Sequence, residues 1–271
     1  MSTPQETLEP NDETQSAPTS PLPPGVPESS TTGEKKWTSL ARFANDFAPA
    51  DNPHTLVQAV DALLKRPAQL VHAIIHGTHA IRTSCMLVIV TALCLFGYGI
   101  VMGTFTGGEQ LFAAPIKMSL GMFLSALICL PSLYIFTCLA GGNQSAGHVA
   151  SFLLLSMALS ALLLIGFAPV AWIFSQATGS TSFMGCLHLI FWMVGTVLGI
   201  RLLSTTLAFL NERHSRLIPI WACIFVVVAL QMSTTLRPIV GKPHDTWIQG
   251  KKFFVVYWFE EIVEVKANRV R

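Results

Sequence analysis

Charge is what this chain has least of. Asp, Glu, Lys and Arg make up 12% of its 271 residues, while 51% are hydrophobic. Soluble domains carry about a quarter charged residues. The mean hydropathy of +0.53 points the same way, to a chain that faces lipid over much of its length. A net charge of +2 gives no reason to expect nucleic acid as a partner. Cysteine spacing excludes little else: Cys85, Cys94, Cys129, Cys138, Cys186 and Cys223 fall in or beside apolar runs, and no two form a C-x-x-C pair. They read as small buried hydrophobes rather than a disulfide or metal framework.

Several signatures are missing. The acidic, polar opening "MSTPQETLEPNDETQSAPTS" has neither a positive start nor an apolar centre, so no secretory leader is expected. Ser2 and the ending "NRVR" carry no lipidation motif. There is no G-x-S-x-G elbow, no HExxH helix, no pair of intramembrane aspartates and no phosphate-binding glycine loop. The expectation is a protein that is not an enzyme and has no resident cofactor. "GTFTGGEQ", 103–110, is glycine-rich but joins two apolar runs, and reads as an extramembrane turn.

Apolar runs dominate what is there. Five occur, at about 84–104, 116–139, 149–172, 183–204 and 218–237, and none contains Asp or Glu. Each is at or near the roughly 20 residues that cross a 30 Å hydrocarbon core. Backbone facing lipid must satisfy its own hydrogen bonds, so these are helices. The fold class is therefore an all-α integral membrane protein of about five transmembrane helices with an N-terminal interfacial helical region. Its divisions are a Pro/Ser/Thr-rich disordered tail over 1–36, amphipathic interfacial helices over 37–83, a five-span bundle over 84–237 and a polar, aromatic C-terminal tail over 238–271.

Within 37–83, Trp37, Leu40, Phe43 and Phe47 recur at helical steps suited to a membrane interface. Asn52 followed by Pro53 reads as a helix start, and Pro67 ends or kinks that helix. "LVHAIIHGTHAIRT", 70–83, then places His72, His76 and His79 within about 60° of one another on a helical wheel. Imidazoles at i, i+4 match helical metal pairs, so a transition-metal or haem site is geometrically allowed. A solvated stripe facing lipid headgroups and a pH-responsive surface are the competing readings. Near the other end, "KKFFVVYWFEEIVE", 251–264, has an apolar centre too short to span.

Positive charge orients the bundle. Lys35, Lys36, Arg42, Lys65, Arg66 and Arg82 precede the first run, and Arg213 and Arg216 lie between the fourth and fifth. The expected N-terminus is cytoplasmic, in an inner membrane. The basic C-terminal tail opposes a fifth crossing, since five spans put it outside. Polar side chains within runs are few: Lys117, His188, Arg201 and Gln231 are the candidates for transport or polar packing. Gly99 with Gly103, and Gly195 with Gly199, have the GxxxG spacing that lets helices approach closely. Trp172 and Trp221 sit near run ends as interface anchors would, and Trp192 is deeper.

"AAPIKMSLGMFLSALICLPSLYIFTCLAG", with "GFAPVAWIFSQ" and "LQMSTTLRPIVG", resembles a family of uncharacterised bacterial multipass membrane proteins over roughly 55–258. In layout the chain is also similar to the Yip (Ypt-interacting) membrane proteins. The shared points are a polar N-terminal region, a "KRP" entry helix and five short-looped spans. The absence of catalytic constellations beside a sizeable cytoplasmic amphipathic region points to a non-enzymatic scaffold or partner-binding protein, whose expected partners are the lipid bilayer and another protein or a second copy. A small transporter or channel-like protein is the alternative, and a metal-binding protein through the histidine face is a third.

Overall fold

A computed structural model describes residues 43, 45–47, 53, 55–77, 80–106, 110–210 and 217–235. The features expected at 1–36, Trp37, Leu40, Arg42, Asn52, His79, Arg213, Arg216 and 236–271 lie outside the described residues. Among those described there are seven helices of ten residues or more and no strand: α1 (Leu56–Lys65), α2 (Pro67–His76), α3 (Ala80–Thr106), α4 (Gln110–Leu139), α5 (Ala146–Ala177), α6 (Thr181–Leu210) and α7 (Leu217–Thr235). Four of them, α3 to α6, are long and apolar enough to cross a membrane. The chain is an all-α multipass membrane protein.

The long helices exceed the runs that announced them. They hold 27, 30, 32 and 30 residues, or about 40–48 Å at 1.5 Å per residue, against about 30 Å of hydrocarbon. Each helix continues past its run through mixed stretches such as Gln110–Pro115 and Thr205–Leu210. The connections shrink accordingly. The link expected over 172–183 is residues 178–180, and that expected over 205–217 begins only after Leu210. Helix α7 is shorter, 19 residues.

Local chemistry sets the ends. At the C-terminus of α4, Gly141 takes φ 87°. Gly142 N–H donates to Thr137 O at 3.0 Å and Gly141 N–H to Cys138 O at 2.9 Å. This is a Schellman stop, which glycine permits because it lacks the Cβ that a positive φ penalises. Ser145 and Ser180 cap α5 and α6, accepting His148 N–H at 3.3 Å and Phe183 N–H at 3.4 Å. Helix α1 starts later than Asn52–Pro53 implied. Its N-cap is Thr55, which forms a capping box with Gln58. The reciprocal pair of side-chain bonds outweighs the bare Asn-Pro signal. Pro67 does divide α1 from α2, occupying the first turn of α2, where its missing N–H costs nothing.

The helices form a row in the order α7–α4–α3–α5–α6. Helices α3 and α5 run parallel: Ser84 Oγ meets Ser151 Oγ at 2.8 Å, and Gly97 lies beside Ile165, at the same sequence offset within one residue. Helix α5 is buried over more of its length than the other three long helices, because α3 and α6 flank it. Polar hydroxyls inside the row turn back on their own helices, as Thr91 to Leu87 O, Ser125 to Gly121 O and Thr137 to Leu133 O, each at 2.7–2.8 Å. Leu93 on α3, Leu127 on α4, Ile173 on α5, Ile190 on α6 and Val227 on α7 are exposed. Such a band of large apolar side chains has lipid as its natural solvent.

Trp221 corrects the expectation of an interface anchor. It is wholly buried on α7, stacks on Phe225 with ring centres 5.3 Å apart, and donates Nε1–H to Cys129 O of α4 at 3.1 Å. An indole that finds a carbonyl inside the protein has no need of the headgroup region. Trp172 is exposed and Trp192 half-buried.

Candidate functional site

Two clusters of polar or aromatic side chains stand out, one inside the row and one at its end. Inside, Tyr98 of α3 and His188 of α6 meet with Tyr98 Oη 2.8 Å from His188 Nδ1 and their rings perpendicular. Tyr98 is fully buried and His188 is 4% exposed. The other ring nitrogen, Nε2, is buried with no hydrogen-bond partner. A neutral imidazole has one donor and one acceptor, so the phenol satisfies one nitrogen whichever tautomer forms. The remaining one forfeits roughly 1–3 kcal/mol. An apolar pair at 98 and 188 would pack here without that cost, so the two residues are an expensive choice.

Helix ends give the depth of this pair. Tyr98 is eight residues before Thr106, Lys117 seven after Gln110, and His188 seven after Thr181. All three thus stand about 10–12 Å below the end of the row that carries the α3–α4 and α5–α6 connections. Lys117 and Gln231 are half-buried, and neither is without an interaction partner. Arg201 is exposed, nine residues before Leu210. It is deeper within α6 than its position near the end of an apolar run implied. The structure therefore places Lys117 and His188 at one depth, and Arg201 nearer the opposite end. Three of the four buried polar atoms without partners among the described residues belong to α6: His188 Nε2, Thr196 Oγ1 and Thr206 Oγ1. The fourth is Ser119 Oγ of α4.

If the Tyr98–His188 bond stabilises the row, Tyr98→Phe should lower stability by about 1–3 kcal/mol, because it strands a second ring nitrogen. Adding His188→Leu should recover most of that loss, since both polar groups then go together. A double-mutant cycle of thermal unfolding in detergent reads the coupling; strictly additive losses would remove the bond from the account.

Glycines set the helix crossings. A Cβ on Gly199 would collide with Ser160 Oγ and lie 2.7 Å from Ser156 O. One on Gly195 would come 3.1 Å from Ser160 O. Gly195 and Gly199 thus ride over Ser156 and Ser160 of α5. Gly99 presses on the backbone of Pro115 in α4, and Gly103 is buried one turn further along α3.

The second cluster lies where α2 and the end of α6 meet the N-terminal segment. His72 and His76 have ring centres 4.9 Å apart. Phe47 stands edge-on to His72 at 5.0 Å and reaches Phe209 of α6 at 4.9 Å, and Phe43, itself buried, adds a contact to Phe209 at 5.4 Å. These two phenylalanines, expected on lipid, are taken up by protein. The single wheel drawn through 65–83 is also corrected. Helix α2 stops at His76, Gly77 takes extended geometry (φ −75°, ψ 139°), and α3 begins afresh at Ala80. His72 and His76 share one helix face; His79 lies outside the described residues and beyond that break. The face opposite them, Leu70, Val71 and Ile74, is buried as α2 packs on α3 and α5.

Sequence reading missed Tyr98, Ser156, Ser160 and Phe209. Tyr98 carried a signal: it is one of three tyrosines and lies mid-run in a chain poor in polar groups. Among the described residues no three His, Cys, Asp or Glu side chains gather as a metal group. No family model, curated protein or solved structure matches the chain.

Proposed function

We propose that the protein is a scaffold, a partner-binding protein of a bacterial inner membrane, with a cytoplasmic N-terminus, α7 as its fifth crossing and the Yip-like layout noted above. One observation carries this reading: α1 packs as a shelf against α2 and α3. Ala59 and Leu63 are 1% exposed beneath it, whereas Val57 and Leu64, seven residues apart on one stripe, are 78% and 57% exposed. Asp61 and Lys65 pair at 2.6 Å on the same outer side. A capped helix that shows apolar and charged groups together is suited to a protein partner, because its ordering entropy is already met. The basic residues before α3 support the orientation.

The test is a photo-crosslinking amino acid at Val57 or Leu64 in native membranes. A discrete protein adduct at both positions, absent when the probe sits at Ile190 on the lipid face, is the expected result. Adducts with lipid alone would overturn the reading.

The unpartnered polar atoms of α6 favour a second reading, a small transporter. Buried polar groups lining a lipid-embedded helix mark pathways in such proteins. Solute flux in liposomes that is lost in His188→Leu would put this reading ahead of the scaffold.

A further inference from the structure

We propose that His72 and His76 form a two-histidine site for a borderline divalent transition metal such as Zn²⁺. This goes beyond the scaffold reading and does not depend on it. The two imidazoles are four residues apart on α2, the spacing at which side chains stack one above the other along a helix. Their separation is the stronger point. Metal–nitrogen bonds of about 2.0–2.1 Å, with about 1.2 Å from nitrogen to ring centre, put two rings on one ion about 4.5 Å apart at a 90° angle and about 5.2 Å at a tetrahedral one. The observed 4.9 Å falls between these values. The ring separation thus allows one nitrogen of each imidazole to reach a shared ion by side-chain rotation alone.

Access and order fit as well. His76 is exposed and His72 half-buried, so the pair is open at the protein surface. Phe47 packs edge-to-face with the His72 ring, and Phe209 backs Phe47. Rings restrained before binding lose less freedom on binding. Two nitrogens leave coordination positions for water, which makes this an open site rather than a closed structural one. The ion would also bridge two turns of a helix whose last residue is a ligand, tightening the end of α2 beside the Gly77 break.

The experiment is a titration of the full-length, untagged protein in detergent micelles with zinc chloride, read by calorimetry. One ion per chain is expected. His72→Ala and His76→Ala should each weaken binding at least about tenfold, since even outer-sphere partners of a metal cost 10–100-fold when lost. His148→Ala, on α5, should leave binding unchanged. His76 is exposed and its one further ring contact is Phe47 at 6.5 Å, so its alanine variant removes little packing, and a matched melting temperature without zinc separates lost binding from lost folding. Zinc should raise the melting temperature of the wild type and not of the double variant His72→Ala/His76→Ala. Failure of the wild type to bind zinc, or unchanged binding in the double variant, overturns the proposal.

Discussion

Gly199→Ala is expected to destabilise the protein, whereas Gly195→Ala, one turn away, should be close to neutral. Both replacements gain about 0.8–1 kcal/mol of helix propensity. At Gly199 the new methyl meets Ser160 Oγ and, at 2.7 Å, the Ser156 carbonyl. The carbonyl is backbone and cannot swing away. The Ser160 hydroxyl is held too, donating to that same carbonyl at 3.0 Å. Relief therefore requires α5 and α6 to separate, an overpacking cost of about 1–3 kcal/mol or more. At Gly195 the nearest atom is 3.1 Å away, and a shift of a few tenths of an ångström suffices. The propensity gain then offsets most of the strain. Gly199→Leu, with three more carbons in the same gap, should fail to assemble. Thermal unfolding in detergent ranks the two alanine variants, loss of the folded peak on size-exclusion chromatography reads Gly199→Leu, and equal losses at 195 and 199 would show that the crossing is looser than described.

Trp221→Ala should be more damaging, at about 3–5 kcal/mol for a fully buried indole. Helix α7 rests on α4 as its main neighbour, so little else compensates. Trp221→Phe keeps the stack on Phe225 and loses one hydrogen bond, about 0.5–1.5 kcal/mol. A chemical probe tests this directly. In a variant whose only thiol is Cys129, which is 2% exposed, a maleimide should react slowly. With Trp221→Ala added, α7 should lift and the thiol should react. Continued protection would mean that another element covers Cys129.

How much of this was legible beforehand follows from the physics of each feature. The long helices α3 to α6 were readable because lipid imposes apolar runs of fixed minimum length. Their ends were not, since overhangs such as Thr205–Leu210 follow caps and packing rather than hydropathy. The Pro67 division was legible because proline acts locally. The Gly77 break inside the histidine segment was not, because one glycine within an amphipathic pattern is equally compatible with a continuous helix. Partner identities were the least accessible. GxxxG says that something comes close, and only the fold says that it is Ser156 and Ser160. The burial of Trp221 depends on a carbonyl 92 residues earlier. Local pattern cannot encode a pairing of that span.

The row order has a temporal consequence. Helix α4 leaves the ribosome complete at Leu139, but its neighbour α7 is finished only at Thr235. At about 5–20 residues per second, α4 waits roughly 5–19 seconds for that neighbour. During the wait, the face that α7 will cover meets lipid, and the Cys129 carbonyl lacks the indole. Ser132, one turn on, already donates to that carbonyl at 2.8 Å. The same oxygen takes the Leu133 N–H of its own helix ladder, so it is not a bare acceptor during the wait, and the late indole shares an oxygen that is already satisfied.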